Sequence, residues 1–474
     1  MAHPLEFPTV RFMYLSPEFA LGFFVLFALY WFFEAHVGAQ NRLLLLFSGL
    51  FYASLDVHLL AYLLVFSLSV YGVAQRIRHS QGAARRAWLV AGLGCLVAYL
   101  GSLKYYLPLR DLLAPYLAGS SGWAVSLLSL ELLVPVGVSF YTFQAVALLL
   151  ACYRDDPVCH DLTLTETGLY LAFFPTVVAG PICRPQFLLP QLRLPRLFTA
   201  PQQGLGLIAR GLFKKLVVAQ WLASTWVDPL FANPTDFNGL ELALGAAAYA
   251  VQIYADFSGL TDLVMGIAWL LGFRLAENFN LPYLARSPQE FWRRWHVSLS
   301  SWIRDFIYIP LGGSRHGLWR TQFNLLAAMV FSGLWHGAGW NYLVWGALHG
   351  LACVLANVWP PRLLPPSLLR LPLTFIFVSF AWIFFRAADL DQALAYLSAM
   401  GDWTKPFTYN VLGGMLLLGG FFAVQQLAAR LQEPIRAKLT QLAWPAQVAG
   451  LTLIAWVCIE LGPSGIPAFI YSRY

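Results

Sequence analysis

Residues 333–351 read GLWHGAGWNYLVWGALHGL, placing two histidines in a stretch otherwise apolar enough to cross a membrane. Ionisable side chains in such a stretch are expensive and point to function. His336 is flanked by Trp335, Gly337 and Gly339. Glycines there let a ligand or another helix approach closely. From the residues alone, His336 is either a catalytic group or a histidine bonded between helices. His349, between Leu348 and Gly350, reads more as a structural residue. On one straight helix the two would lie about 20 Å apart along the axis, on roughly opposite faces. Gly337 and Gly339 predict a break after His336. Unless that break refolds the chain, the two histidines do not share one centre: one is the catalyst and the other structural.

Two carboxylates, Asp256 and Asp262, interrupt the apolar run YADFSGLTDLVMG at 254–266. They could relay protons, hold a cation, or pair with the arginines of 293–304. The last, a structural role, is the expectation. The segment SPQEFWRRWHVSLSSWIRD, 287–305, reads as one helix. Ser287 is the N-cap, Pro288 the first helical position, and Glu290 the far end of a capping box. Trp292, Trp295, Leu299, Trp302 and Ile303 recur at three- and four-residue spacing, which predicts an amphipathic helix lying at a membrane interface. His296 falls beside that stripe, and Arg293 and Arg294 face elsewhere. Other chemistries are excluded. No G-x-S-x-G elbow exists. FIYIPLGGSRHG lacks the Gly-Lys-Ser/Thr ending of a phosphate loop. The six cysteines are scattered, and Cys152, Cys159 and His160 do not have zinc spacing.

The elements that carry these residues are membrane helices. The 474 residues are 59% hydrophobic and 11% charged, where soluble domains have about 25% charged. The apolar runs are continuous rather than alternating, which excludes a closed β-barrel. The fold class is an all-α polytopic membrane protein, with about 11 transmembrane helices plus re-entrant or interfacial pieces. The first run, near 19–33, has no cleavage site after it and reads as the first helix. Arginines and lysines cluster at 76–86, 184–215 and 286–320, which places those loops in the cytoplasm. The stretch RPQFLLPQLRLPRLFTAP, 184–201, is a loop with short surface helices. The net charge of +7 suits a lipid bilayer with anionic headgroups and gives no sign of a nucleic-acid partner. The whole chain, 1–474, reads as one membrane-embedded domain: a motif-bearing core at 170–350, then C-terminal helices and a tail at 351–474.

Three long motifs carry a resemblance. VVAGPICRPQFLLPQL (177–192), IYADFSGLTDLVMGIAWLLGFRLAENFNLPYLARSPQEFWRRWHVSLSSWIRDFIYIPLGGSR (253–315) and NLLAAMVFSGLWHGAGWNYLVWGALHG (324–350) resemble the membrane-bound O-acyltransferase family, most closely its bacterial alginate O-acetyltransferase-like branch. Relatives in that branch acetylate cellulose or peptidoglycan, or pass D-alanine to teichoic acid. The resemblance implies a funnel or tunnel across the membrane. It implies that His336, in the WHG motif, is the family's invariant histidine, and that His296, in the RWH motif, is its second. Asn341 and His349 match family positions as lining or support, and Trp335 stands beside His336.

The implied donor is cytoplasmic acetyl-CoA, a substrate rather than a cofactor, with Arg293, Arg294 and Arg304 as the nearest groups for its phosphates; lipid headgroups are the other use for them. A neutral imidazole takes the acceptor's proton as the thioester is attacked, an effect of about 10²–10⁴, and a dry tunnel protects the acyl group. The resemblance also implies a multi-pass protein of the bacterial inner membrane, serving an exopolysaccharide synthase and export complex and an extracytoplasmic SGNH-type acetyltransferase or acyl-carrier partner. The tail GPSGIPAFIYSRY resembles the branch's terminal FIY motif, in which Tyr471 would carry the acyl group outward; the other reading is an aromatic interface anchor. Alginate is the expected polymer, with cellulose or peptidoglycan as alternatives. A transporter with broken helices and intramembrane acids is the rival from another class.

Overall fold

The computed structural model describes residues 13–117, 134–359, 365–409, 411–441 and 443–462. The FIY tail with Tyr471 lies outside the described residues. Every element among the described residues is helical, as expected of an all-α membrane protein. The chain divides into two compact units, Met1–Thr199 with Ile267–Leu275, and Ala200–Gly266 with Ala276–Tyr474.

The first unit holds α1 (Pro17–Phe32), α2 (Val37–Ala53), α3 (Val57–His79), α4 (Gly82–Leu117), α5 (Val138–Tyr153), α6 (Leu164–Ala172) and α7 (Pro185–Arg193). Ser16 caps α1 by accepting the Phe19 amide at 3.0 Å. Thr163 and Glu166 close a reciprocal capping box on α6. The 184–201 stretch is a helix only over α7 and is then non-helical up to α8, as its prolines require. The returning segment 267–275 is fastened to α1: Tyr30 donates to the Leu271 carbonyl at 2.9 Å and Trp31 to the Leu270 carbonyl at 3.1 Å.

The second unit holds α8 (Pro201–Leu212), α9 (Gly239–Leu270) up to Gly266, α10 (Pro288–Arg294), α11 (Val297–Ile303), α12 (Gly317–His336), α13 (Trp340–Val358), α14 (Ser367–Arg386), α15 (Leu390–Ala399), α16 (Val411–Gln441) and α17 (Trp444–Leu461). Its core is aromatic. Trp295, Trp345 and Trp382 are fully buried, and Trp382 donates to Tyr283, which donates to the Ala250 carbonyl.

Among the described residues, five helices are long and apolar enough to span a bilayer: α3, α4, α13, α14 and the first part of α16. Three more apolar helices, α1, α5 and the stretch Pro445–Leu461, are shorter. The other expected spans are less apolar or less regular among the described residues, for local reasons. The run at 205–226 is interrupted by Lys214 and Lys215 and by π-helical turns at Phe213–Ala219 and Ala223–Val227. Helix α9 carries Glu241, Asp256 and Asp262. The run at 169–180 breaks into short pieces at Phe173 and Val178.

Candidate active site

The opening motif folds as a hairpin. Helix α12 ends at His336, residues 337–339 turn, and α13 starts at Trp340. The two helices touch backbone to backbone: a Cβ on Gly333 would lie 2.3 Å from the Tyr342 carbonyl oxygen, and one on Gly346 would lie 2.6 Å from that of Met329. The break therefore does refold the path. His336 and His349 both pack on Trp345, each with ring centres 5.0 Å from it. This corrects the expectation that they are held far apart; the close approach at Gly333 and Gly346 turns an axial separation into a shared wall.

His296 joins them from a second element. The 287–305 segment is not one helix but two, α10 and α11, broken at Trp295–His296, with His296 in the left-handed region at φ 41°. Nor does its apolar stripe face lipid. Phe291, Trp292, Trp295, Leu299, Trp302 and Ile303 are all buried in the second unit's core. The three-four spacing signals burial, and protein rather than bilayer covers the stripe. The N-terminal signal is right in part: Ser287 accepts the Glu290 amide at 3.1 Å, while Glu290 reaches the Arg286 amide at 2.8 Å.

Asn278 holds the break in place. Its backbone carbonyl accepts the Val297 amide at 2.9 Å. Its Oδ1 accepts the Ser298 amide (3.1 Å), the Ser298 hydroxyl (2.9 Å) and Nδ1 of His296 (3.1 Å). A backbone N–H only donates, so the atom facing Ser298 is the amide oxygen. The imidazole nitrogen facing the same oxygen must then be Nδ1–H, which leaves the proton-accepting lone pair on Nε2. Burial pushes the His296 imidazolium down to about 3, so the ring is neutral at pH 7. Trp335 packs on both motif histidines, its ring centre 4.6 Å from His336 and 6.2 Å from His296.

His349 is polarised in the opposite sense. Trp292 donates its indole N–H to His349 Nδ1 at 3.3 Å. Indole is only a donor, so neutral His349 carries its proton on Nε2. That Nε2 has no hydrogen-bond partner among the described residues. The three imidazoles are 0–3% exposed and are joined ring to ring through Trp335, Trp345 and Trp292. Two present different faces of the same chemistry, a lone pair on His296 and an N–H on His349. The two rings thus offer the two functions that acid–base chemistry draws on, a proton acceptor and an N–H donor.

The other expected residues divide. Asn341 is fully buried, and its Nδ2 donates to the carbonyls of Phe384 (3.2 Å) and Ala387 (2.9 Å) at the end of α14; it supports the hairpin. Arg294 is committed to Glu290 at 2.8 Å and to the Asn280 carbonyl at 3.3 Å. Arg304 pairs with the adjacent Asp305 at 2.8 Å on an exposed face, and Arg293 is exposed. Asp256 and Asp262 form ion pairs, but not with these arginines. Asp262 binds Arg210 (2.6 Å) and Lys214 (2.7 Å), and Asp256 binds Lys215. The cations come from the 210–215 stretch because α8 and α9 pack at Gly211 and Gly259, where an added Cβ would meet the opposing carbonyl at 2.5–2.9 Å. No cluster of metal-ligating side chains occurs among the described residues.

Comparison with known proteins accounts for this arrangement. The model of the membrane-bound O-acyltransferase family matches residues 158–388, which contain all three histidines. The chain is 36% identical over 427 residues, 85% of its length and 79% of the relative's, to a probable alginate O-acetylase of Pseudomonas aeruginosa. The chain belongs to the membrane-bound O-acyltransferase family. It is also 32% identical, over 83% of its length and 79% of the relative's, to a peptidoglycan O-acetyltransferase of Helicobacter pylori. A teichoic acid D-alanyltransferase of Streptococcus thermophilus is 31% identical over 47% of this chain and 57% of its own. As a member of the family it is an O-acyltransferase and a membrane protein.

Asn278, Trp292 and Trp345 were not singled out as site residues from the sequence. Asn278 reaches His296 through a loop return that no helical period encodes. Trp292 and Trp345 were legible only as apolar positions.

Proposed function

We infer that this chain takes the acetyl group of cytoplasmic acetyl-CoA and moves it across the bacterial inner membrane for O-acetylation of an extracellular polysaccharide, alginate first among the candidates. The observation that carries this is the pair of family-motif histidines, His296 and His336, both buried and both packed on Trp335. In the reaction, a hydroxyl oxygen attacks the thioester carbonyl and its proton passes to a neutral imidazole. The C–S bond then breaks, and the CoA thiolate leaves and takes up that proton. His336 is the base. The lone pair of His296 Nε2 and the N–H of His349 supply the second proton site and a donor toward oxyanion charge. Tryptophan walls keep water from hydrolysing the donor.

Alginate rests on the 36% identity to the Pseudomonas relative; peptidoglycan is the second reading, favoured by the 32% identity over similar coverage. The finer expectations belong to the same reading. Tyr471 accepts the acyl group on the outer side, an extracytoplasmic SGNH-type transferase collects it, and an export complex presents the polymer. A transporter is disfavoured because both intramembrane carboxylates are tied up in ion pairs.

The test is purified protein in detergent with acetyl-CoA labelled in the acetyl group. Wild type should release CoA, and His336→Ala should insert and fold normally while losing 10²–10⁴ in rate, the usual worth of a general base. Wild-type CoA release by His336→Ala would defeat the assignment. Label that stays on wild type but not on Tyr471→Phe would support the carrier step.

A further inference from the structure

Cys152 lies at the end of α5, and the chain turns back at once. The Asp155 amide donates to the Cys152 carbonyl (3.2 Å) and the Asp156 amide to that of Ala151 (3.1 Å). Asp156 then caps the 3₁₀ turn Pro157–Cys159. Its Oδ1 accepts the Val158 amide at 3.0 Å and its carbonyl accepts the Cys159 amide at 2.9 Å. This reversal brings two thiols together: they are hydrogen-bonded, Cys152 donating to Cys159. Each residue is 1% exposed. Neighbouring helices hold the turn. Arg85 of α4 donates to the Cys152 carbonyl at 2.9 Å, and Gln186 of α7 donates to Asp156 Oδ2 at 2.8 Å.

The pair differs from an ordinary buried cysteine in its surroundings. Burial pushes the Cys183 thiol up to about 12. Around the pair stand cations: the charge of Arg78 acts on both sulfurs, that of Arg85 on Cys152 and that of Arg193 on Cys159. The Cys159 thiol lies below its ordinary value. The Cys152 hydrogen bond holds it there first, then Arg78 and Arg193, against burial and the charge of Asp156. The thiolate is the attacking form in disulfide exchange, and cations beside a thiol favour it. The covering is thin, since Arg154, Asp155, Pro157 and His160 of the turn are exposed.

We propose that Cys152 and Cys159 are a redox-active dithiol that closes to an intramolecular disulfide by exchange with a small-molecule disulfide of the glutathione class. The Cys159 thiolate attacks one sulfur of glutathione disulfide, whose S–S bond breaks and releases one glutathione thiolate. The Cys152 sulfur then attacks Sγ of Cys159 and displaces the second. The proton of Cys159 goes to the first thiolate released and that of Cys152 to the second. Two protein S–H bonds are lost, one S–S bond forms, and two electrons reduce the glutathione disulfide to two thiols. Arg78 and Arg85 belong to the cluster at 76–86 that the sequence reading places in the cytoplasm. Disulfides there are mostly transient and redox-sensing, so the pair is open at rest and closes on oxidation. The site lies wholly within the first unit and does not rest on the acyl-transfer reading.

The test is the full chain in detergent, equilibrated with mixtures of reduced and oxidised glutathione, quenched with acid, then unfolded, alkylated and digested for mass spectrometry. As the oxidised form replaces the reduced, Cys152 and Cys159 should become linked, lighter by two hydrogens, while Cys183 still takes the alkylating agent. Excess reduced glutathione should reverse the link. Cys152→Ser should leave Cys159 carrying glutathione as a stable mixed disulfide, and Cys159→Ser should leave Cys152 about tenfold less modified. Oxidised wild type should also unfold at a higher Tm than reduced, a difference that Cys159→Ser abolishes. No linked pair in wild type under a large excess of oxidised glutathione, or a link that forms only once the chain is unfolded in urea, would overturn the proposal. Equal glutathione on the two single variants would overturn Cys159 as the attacking sulfur.

Discussion

Asn278 offers the sharpest test of the site, because its side chain acts through one atom. Its Oδ1 accepts the Ser298 amide, the Ser298 hydroxyl and His296 Nδ1, while its Nδ2 has no hydrogen-bond partner among the described residues. Asn278→Ala removes all three bonds. The hydroxyl can rotate to another acceptor, but the amide and the ring N–H are left buried. At about 1–3 kcal/mol per orphaned donor, the loss is about 2–6 kcal/mol. The ring is also free to move its proton to Nε2, which deletes the lone pair the reaction uses, so transfer should fall by about 10²–10⁴.

A purely structural role would give the stability loss with little change in rate per folded molecule. Asn278→Asp separates the two. It keeps an acceptor facing Ser298 and His296 and adds a negative charge, which favours the imidazolium. The His296 pKa, about 3 in the wild type because of burial, should rise. The acid limb of the rate profile should then move to higher pH while the Tm stays nearer wild type than in the alanine variant. The assay is acetyl-CoA-dependent CoA release across pH 5–9, with thermal unfolding of the same samples. An alanine variant with wild-type rate, or an aspartate variant with an unmoved profile, would refute the reasoning.

Lys215→Met should destabilise by about 3–5 kcal/mol, because it removes the ammonium bound to the buried Asp256; adding Asp256→Leu should recover most of that, as read by thermal unfolding of single and double variants. Stability should also depend on acid. His296 is neutral when folded down to about pH 3 but takes a proton near pH 6.5 when unfolded. The unfolded state therefore binds more protons between those values, and its contribution is lost as pH falls through that window, by up to about 1.4 kcal/mol per unit. His296→Gln should flatten that slope in a pH series of unfolding midpoints.

The fold class was legible because apolar runs are a one-dimensional signal, and His336 stood out as an imidazole inside one of them. What was not legible lay in chain reversals. The hairpin at Gly337–Gly339 was expected as a break, but its angle depends on the backbone contacts at Gly333 and Gly346, which spacing does not encode. The Trp292–Trp302 stripe has the period of an interfacial helix, and the period is the same whether lipid or protein covers it; burial of Trp295 and Trp302 decided for protein. The acids of α9 were rightly read as ion-paired. Their partners came from 210–215 rather than 293–304 because small residues on α8 let the two backbones approach.

Those ion pairs also set an order of events during synthesis. Lys215 precedes Asp256 by 41 residues and Arg210 precedes Asp262 by 52. At roughly 5–20 residues per second, each of these cations is synthesised about 2–10 seconds before its carboxylate. Until then the stretch 210–215 lacks the carboxylates that pair with it in the folded chain. The α8 segment must wait in a polar setting and settle together with α9, so the two enter their buried positions as one neutralised unit rather than in sequence.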